Sequence, residues 1–303
     1  MAAPSPPRTA LSLTAFLTLL LLACMFGGNH VAARLAIDHG VDVATAVAVR
    51  SGATALVVGL IVAWARPAWT ASARQRAALV AIGLLVALQS ACLYSAVARV
   101  PVGLALLAFN TYPLCAAGAV WLLYRRRPER AVLLAMPVIL CGLALALDAP
   151  GLLARGLGAD GAALMRGVGF AIAAALSFGL VLALTQHEVS AIDGRVRTLL
   201  TMTMVGVLAL AVALGGRGLQ WPHAPAGWWG LGLLSVLYGT AFTVMFILLP
   251  KLGVVGNSPI MNIEPIAGML IAWVVLDQAV APRQLLGALL VVGAVMALGL
   301  RRR

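Results

Sequence analysis

The chain has 303 residues, of which 63% are hydrophobic and only 10% are charged, and its mean hydropathy is +1.04. A water-soluble protein of this length needs far more charge on its surface, so the composition excludes a soluble domain and indicates an integral membrane protein. The net charge of +12 comes from basic residues in short connections between apolar runs. This distribution indicates membrane topology and predicts no nucleic-acid binding.

Ten apolar segments follow one another, and most approach the ~20 residues that cross a bilayer core. Each should be an α-helix, because lipid offers the backbone no hydrogen-bond partner. We therefore predict an all-α fold with ten transmembrane helices. The first segment is expected to be broken near Gly27-Gly28, where we expect either a kink or a wide helix interface. The segments are 11–36, 43–65, 77–98, 102–124, 131–148, 167–186, 198–214, 227–249, 258–276 and 284–300.

The second half of the chain repeats features of the first. The windows Phe109-Asn-Thr-Tyr-Pro113 and Met261-Asn-Ile-Glu-Pro265 align when the sequence is shifted by about half its length. Further matches are Trp121 with Trp273 and Arg99 with Lys251. Since five helices per half is an odd number, the second half should enter the membrane upside down, as in transporters built from inverted repeats. We predict repeats at 1–148 and 167–303, joined by an external linker at 149–166.

The basic residues also predict the orientation. If both termini are cytoplasmic, the basic residues in the inner connections outnumber those in the outer connections more than twofold, which agrees with ten crossings. The four cysteines lie inside apolar segments without metal-binding spacing, and no phosphate-binding loop is present. We therefore predict no metal, no cofactor and no enzymatic activity.

Several motifs resemble those of the drug/metabolite transporter superfamily, in particular its EamA-type ten-helix members. The first segment carries Phe26-Gly-Gly-Asn-His30 followed by Arg34, the second carries Arg50, and the ninth carries Glu264-Pro265. Phe26 stands where the family typically has Trp, and Asp277-Gln278 departs from its usual Leu-Gly-Glu. The resemblance implies a bacterial inner-membrane transporter, often an exporter of amino acids or other small metabolites, with a central cavity between the two halves.

Glu264 is the only acidic residue near the middle of a predicted span, and such residues usually serve function. It would bind an amine of the substrate or exchange a coupling proton; the alternative is a buried structural link to an Arg or a Tyr. Pro265 would free a backbone carbonyl on the preceding turn. For Arg50, near the outer end of its segment, we expect a structural role, either reaching water or pairing with Asp42.

Other polar and aromatic side chains at bilayer depth are candidates for the substrate site. Tyr112 replaces the repeat-equivalent carboxylate and would make the cavity asymmetric in charge, whereas the amides of Asn110 and Asn262 could equally link helices. We predict a substrate site of Glu264, Asn262, Tyr112, Asn110, Asn29, His30, Gln89, Tyr94, Tyr238 and Trp273, and structural hinges at Gly27, Gly28, Pro113 and Pro265.

Together these features predict a transporter that exports a small polar metabolite, such as an amino acid or a related amine, by alternating access. Its expected partners are a small-molecule substrate and the lipid bilayer, and the sequence also allows a homodimer. One alternative is a membrane sensor or assembly partner without transport. A less favoured one is an integral-membrane transferase, which usually needs paired acids or a metal site and large loops.

Overall fold

The computed structural model describes residues 13–127, 130–146, 159–251, 261 and 263–301, and these residues form helices and connections without a β-strand. Asp42 and Ser72 cap the N-termini of the second and third helices with their side chains, as short polar residues commonly do. The helices are α1 (Leu13–Asp38), α2 (Val43–Ala65), α3 (Ala73–Val97), α4 (Val102–Phe109), α5 (Tyr112–Tyr124), α6 (Arg130–Ala146), α7 (Ala159–His187), α8 (Gly194–Gly215), α9 (Pro225–Lys251), α10 (Glu264–Leu276) and α11 (Pro282–Arg301).

The described helices suit a membrane environment. Seven helical segments are long and apolar enough to cross a bilayer, counting 102–124 as one, and three shorter apolar helices cover Leu133–Ala146, Glu264–Leu276 and Pro282–Ala297. Large apolar side chains such as Leu60, Trp64 and Leu122 are more than 60% exposed, as lipid-facing residues are. The prediction of an all-α membrane protein is confirmed, while ten crossings and cytoplasmic termini remain predictions.

Three predicted segments differ from the structure. α1 runs as one α-helix through Gly27 and Gly28, so the expected break is wrong, whereas the alternative of a helix interface agrees with the close approach of Gly27 to Gly268. The segment 102–124 is divided between α4 and α5 at Asn110 and Thr111. α7 begins at Ala159, so residues 159–166 of the predicted linker are helical. Gly167 lies at the Val100 side chain, and this close packing explains why glycine is tolerated inside α7.

The repeat is visible in local geometry at an offset of 152 residues. α5 and α10 each have 13 residues, begin at the equivalent residues Tyr112 and Glu264, and carry proline in the first turn. Their C-caps, Arg125 and Asp277, are also equivalent, and both adopt the left-handed conformation with φ of 56° and 52°. Pro113 and Pro265 both lie in the first turn of their helix, where proline is well tolerated because its missing N–H would have no partner in the helix. A hinge at either proline remains a prediction.

The two halves are interlocked rather than side by side. α1 packs against α9 and α10, and its repeat equivalent α7 packs against α3 and α5, the equivalents of those helices. The pairs α2–α8 and α6–α11 each join a helix to its own equivalent. This pattern is the one that a two-fold relation between the halves generates.

Two close helix crossings also occupy equivalent positions. A Cβ atom at Gly27 of α1 would lie 2.7 Å from the backbone nitrogen of Gly268 in α10. A Cβ atom at Gly179 of α7 would lie 2.6 Å from the backbone nitrogen of Ala116 in α5. Glycine therefore lets the two backbones touch at both crossings, as small residues commonly do in membrane helix packing.

Candidate functional site

A buried arginine lies at the centre of the polar interior. Arg50 is only 3% exposed and sits in the first half of α2. Its Nη1 donates to the Tyr94 hydroxyl at 3.2 Å, and its Nη2 donates to Ser90 Oγ at 3.0 Å. The guanidinium carbon lies 3.7 Å from the centroid of the Tyr238 ring and 5.0 Å from that of Tyr94. Two aromatic faces and two hydroxyls therefore stabilise the cation.

Neither expectation for Arg50 holds. The side chain does not reach water, because it points into the contact between α2, α3 and α9. It does not pair with Asp42, whose carboxylate instead accepts a hydrogen bond from the Thr45 backbone nitrogen at 3.0 Å and caps α2. The helix cap thus uses the carboxylate that the sequence offered as a partner.

Tyr94 connects this arginine to α1. Its hydroxyl accepts from Arg50 and donates to Asn29 Oδ1 at 3.2 Å, and Tyr94 is 1% exposed and Asn29 fully buried. Two donors in this group, Asn29 Nδ2 and Arg50 Nε, are buried without a hydrogen-bond partner among the described residues. Buried donors of this kind are uncommon, and they call for an explanation.

The second part of the site is a contact between His30 and Glu264. His30 Nε2 lies 3.4 Å from Glu264 Oε1, and the two side chains are 7% and 21% exposed. Glu264 reaches α1 because it opens α10 next to the close crossing at Gly27. The His30 ring also packs edge-on against the Tyr94 ring, with centroids 5.6 Å apart. His30 therefore joins the Glu264 carboxylate to the arginine group.

The equivalent place in the other half has different chemistry. Tyr112 and Leu182 correspond to Glu264 and His30 at the same offset of 152 residues. Tyr112 packs against the rings of Phe109 and Phe178, with centroids 5.4 Å and 5.1 Å away, and Leu182 packs against the same apolar cluster. The polar pair is thus confined to one of two similar crossings, where Phe26 is the counterpart of Phe178.

Comparison with known proteins identifies the family. The model of the EamA-like transporter family matches the chain twice, over residues 13–147 and 165–300, which correspond to the two halves. The chain belongs to the EamA-like transporter family.

One solved crystal structure has the same fold as this EamA-like chain. It is 17% identical, the match covers 96% of this chain and 99% of that one, and the TM-score is 0.59. At this identity, the likeness concerns the fold alone. The comparison with curated proteins gives no match.

The structure brings together six of the predicted site residues of this EamA-like protein: Asn29, His30, Gln89, Tyr94, Tyr238 and Glu264. Gln89 belongs to this group because its Oε1 accepts a hydrogen bond from Ser90 Oγ at 3.4 Å. Sequence reasoning did not assign Arg50 or Ser90 to the site. An arginine within a predicted span was the available signal for Arg50, because intramembrane charges usually face the protein interior.

The other predicted residues lie elsewhere or outside the described part of the chain. Asn110 is buried at the end of α4, and its Nδ2 has no partner among the described residues. Trp273 is 58% exposed, and its equivalent Trp121 is 55% exposed, which suits side chains that face lipid. Asn262 lies outside the described residues. Within the described ranges, no group of three or more His, Cys, Asp or Glu side chains could hold a metal ion.

A second charged cluster joins the ends of α3, α5 and α7. Arg74 donates two hydrogen bonds to the Glu188 carboxylate, at 2.6 Å and 2.8 Å, and the Tyr124 hydroxyl donates a third at 3.0 Å. The Tyr124 ring stacks on His187, with centroids 4.0 Å apart. The Arg74 hydrogen bonds lower the pKa of Glu188 from its ordinary value, so the carboxylate stays charged and fastens these three helix ends together.

Proposed function

We propose that this EamA-like protein is a ten-helix carrier of the bacterial inner membrane, with both termini in the cytoplasm. It exports a small polar metabolite, such as an amino acid or a related amine, by alternating access. The observation that carries the proposal is the contact between His30 and Glu264, two ionisable side chains in the interior of a bundle of apolar helices. Family membership supports transport, and the site supports a polar substrate.

Glu264 is the group that would meet the substrate. Its side chain is more exposed than those of His30 and Arg50, so it is the charge in the cluster most accessible to an incoming molecule. A carboxylate there can accept hydrogen bonds from an ammonium group or take up a proton. The repeat-equivalent crossing offers Tyr112 and Leu182, which provide an aromatic and apolar wall instead. Such a lopsided interior suits a substrate with one charged and one apolar part.

Metabolite profiling of the medium would test the function. Cells would express wild type, Glu264→Gln, Asp277→Asn or an empty vector, with equal membrane abundance of the three proteins. Asp277 is an exposed C-cap of the same helix, and Asn tolerates its left-handed conformation, so this control removes the same charge far from the cluster. We expect a compound carrying an amine to accumulate outside with wild type and Asp277→Asn only.

The outcomes separate the alternatives. If the compound accumulates equally with Glu264→Gln and with wild type, the protein is a transporter but Glu264 does not belong to its substrate site. If no compound differs among the four cultures, purified protein in liposomes would be tested for uptake and counterflow with labelled amino acids. Binding without any flux in both assays would contradict the transport function and favour a membrane sensor.

A further inference from the structure

We propose that Arg50 and Asn29 form a binding site for the carboxylate of the small molecule that this protein transports. The inference rests on the proposed function and specifies its substrate class, because Arg50 would hold the acid group while Glu264 holds the amine. The site is built from α1 and α2, and the Tyr94 hydroxyl of α3 is hydrogen-bonded to both residues.

The positive charge of Arg50 has no negative counterpart close to it among the described residues. Each described carboxylate with a charged partner is bound elsewhere: Asp38 to Arg34, Glu188 to Arg74, Asp193 to Arg195 and Glu264 to His30. Among the described residues, no carboxylate lies within salt-bridge distance of Arg50, although this side chain is 97% buried. A buried cation without a counter-ion is strongly unfavourable, and aromatic faces compensate only in part. An anionic ligand would neutralise the buried positive charge of Arg50.

Several N–H groups of Arg50 and Asn29 have no hydrogen-bond acceptor among the described residues. A guanidinium has five N–H groups, and Arg50 uses one from each terminal nitrogen on neutral oxygens. Its Nε has no partner among the described residues, and the same is true of Asn29 Nδ2. The Oδ1 atom of that amide is held by Tyr94, which is itself hydrogen-bonded to Arg50. A carboxylate has two oxygens and takes two parallel N–H bonds from a guanidinium, so it matches these donors.

The charges of the cluster restrict the anion to a single negative charge. A phosphate usually needs several Arg or Lys side chains, whereas this cluster contains one arginine. Glu264 contacts His30, and the His30 ring packs on Tyr94, so a carboxylate belongs to the same group and would repel a dianion. The ligand class that fits both charges is a small zwitterion with one carboxylate and one ammonium group.

Paired probes would test the inference directly. Each pair is an amino acid and the amine left by removal of its carboxyl group, for example leucine with 3-methylbutylamine and tyrosine with tyramine. Binding to purified full-length protein would be measured from the shift in unfolding temperature, and flux from uptake into liposomes. The variants are Arg50→Gln, Arg50→Lys and Arg195→Gln, the last being a control arginine paired with Asp193 outside this cluster.

We expect wild type and Arg195→Gln to bind at least one amino acid more tightly than its amine. Arg50→Gln should raise the half-saturating concentration of that amino acid at least about tenfold, the value of one charged hydrogen bond, and leave the amine unchanged. Arg50→Lys should restore part of the difference. A merely structural role of Arg50 would weaken the acid and the amine equally.

Three results would overturn the site: amines that bind as well as their parent acids, an Arg50→Gln variant that keeps the preference, or wild type that binds none of the pairs. If Arg50→Gln does not fold, the test is whether wild type binds an amino acid more tightly than the corresponding amine. Carboxylate-dependent binding without flux would contradict the transport function and keep the site. Equal flux of an amino acid and its amine would support the transport function and contradict the carboxylate site.

Discussion

At the scale of single residues, the ion pair between Arg74 and Glu188 makes stability depend on pH. Because the folded protein lowers the pKa of Glu188, the stabilisation is present above the unfolded value of about 4.3 and is lost as pH falls through the lower folded value. We expect the unfolding temperature of wild type to fall more steeply than that of Glu188→Gln between about pH 5 and pH 3. Thermal unfolding in detergent at each pH would measure this.

The matched control for that experiment is Asp277→Asn, which removes an exposed carboxylate without an ion pair among the described residues. Its pH profile should follow the wild type. Parallel profiles of wild type and Glu188→Gln would show that the Arg74 contact contributes no stability in solution.

Arg50 shows what the sequence could not reveal at this scale. Its position near the start of a predicted span was compatible with water, with Asp42 or with the interior. The side chains that hold it, Tyr94, Ser90 and Tyr238, come from two other helices, and their distance from Arg50 depends on how those helices pack. The interior contact of Glu264 was predictable, because a lone intramembrane carboxylate is unfavourable in any packing arrangement unless a polar group meets it.

At the scale of helices, the crossing of α1 with α10 depends on Gly27. In Gly27→Ala, the new Cβ would approach the Gly268 nitrogen to 2.7 Å and the Glu264 carbonyl oxygen to 3.0 Å, and backbone atoms cannot turn aside. We expect a loss of about 1–3 kcal/mol in stability, which outweighs the better helix propensity of alanine. Transport should fall as well, since the shift moves Glu264 away from His30.

Gly52→Ala in α2 is the control for this variant, because a Cβ there has no neighbour within 4 Å. It should retain transport and gain at most about 1 kcal/mol from helix propensity. Unfolding temperature and liposome flux would be measured for both variants. Equal stability of the two would show that α1 and α10 can separate without loss.

The helices α5 and α10 were predictable from the sequence, whereas the contact between α1 and α10 was not. The shared motif around Pro113 and Pro265 indicated related helices, and the structure gives them equal length and equivalent left-handed ends. The sequence left Gly27-Gly28 open between a kink and a helix interface, because glycine suits both. The partner that decides between them, Gly268, is distant in sequence.

At the scale of the whole molecule, the interlocked halves should depend on each other for folding. Most helices of one half pack mainly against helices of the other, including α1 with α9 and α2 with α8. We expect residues 1–148 and 159–303, each with its helices intact, to be degraded when expressed separately and to assemble when expressed together. Membrane abundance and co-purification of tagged fragments would measure this. A stable half on its own would contradict the contact pattern.

The contrast between His30–Glu264 and Leu182–Tyr112 has a consequence for the proposed cycle. In an inverted repeat, the inward-open and outward-open forms arise when the halves exchange conformations, so identical halves would give two forms of equal free energy. Here one crossing carries the polar pair, and its counterpart carries Leu182 and Tyr112 in an apolar cluster, so exchange does not reproduce the same contacts. In the proposed cycle, the empty carrier would therefore rest with a preferred side open, and its ligands would shift that preference.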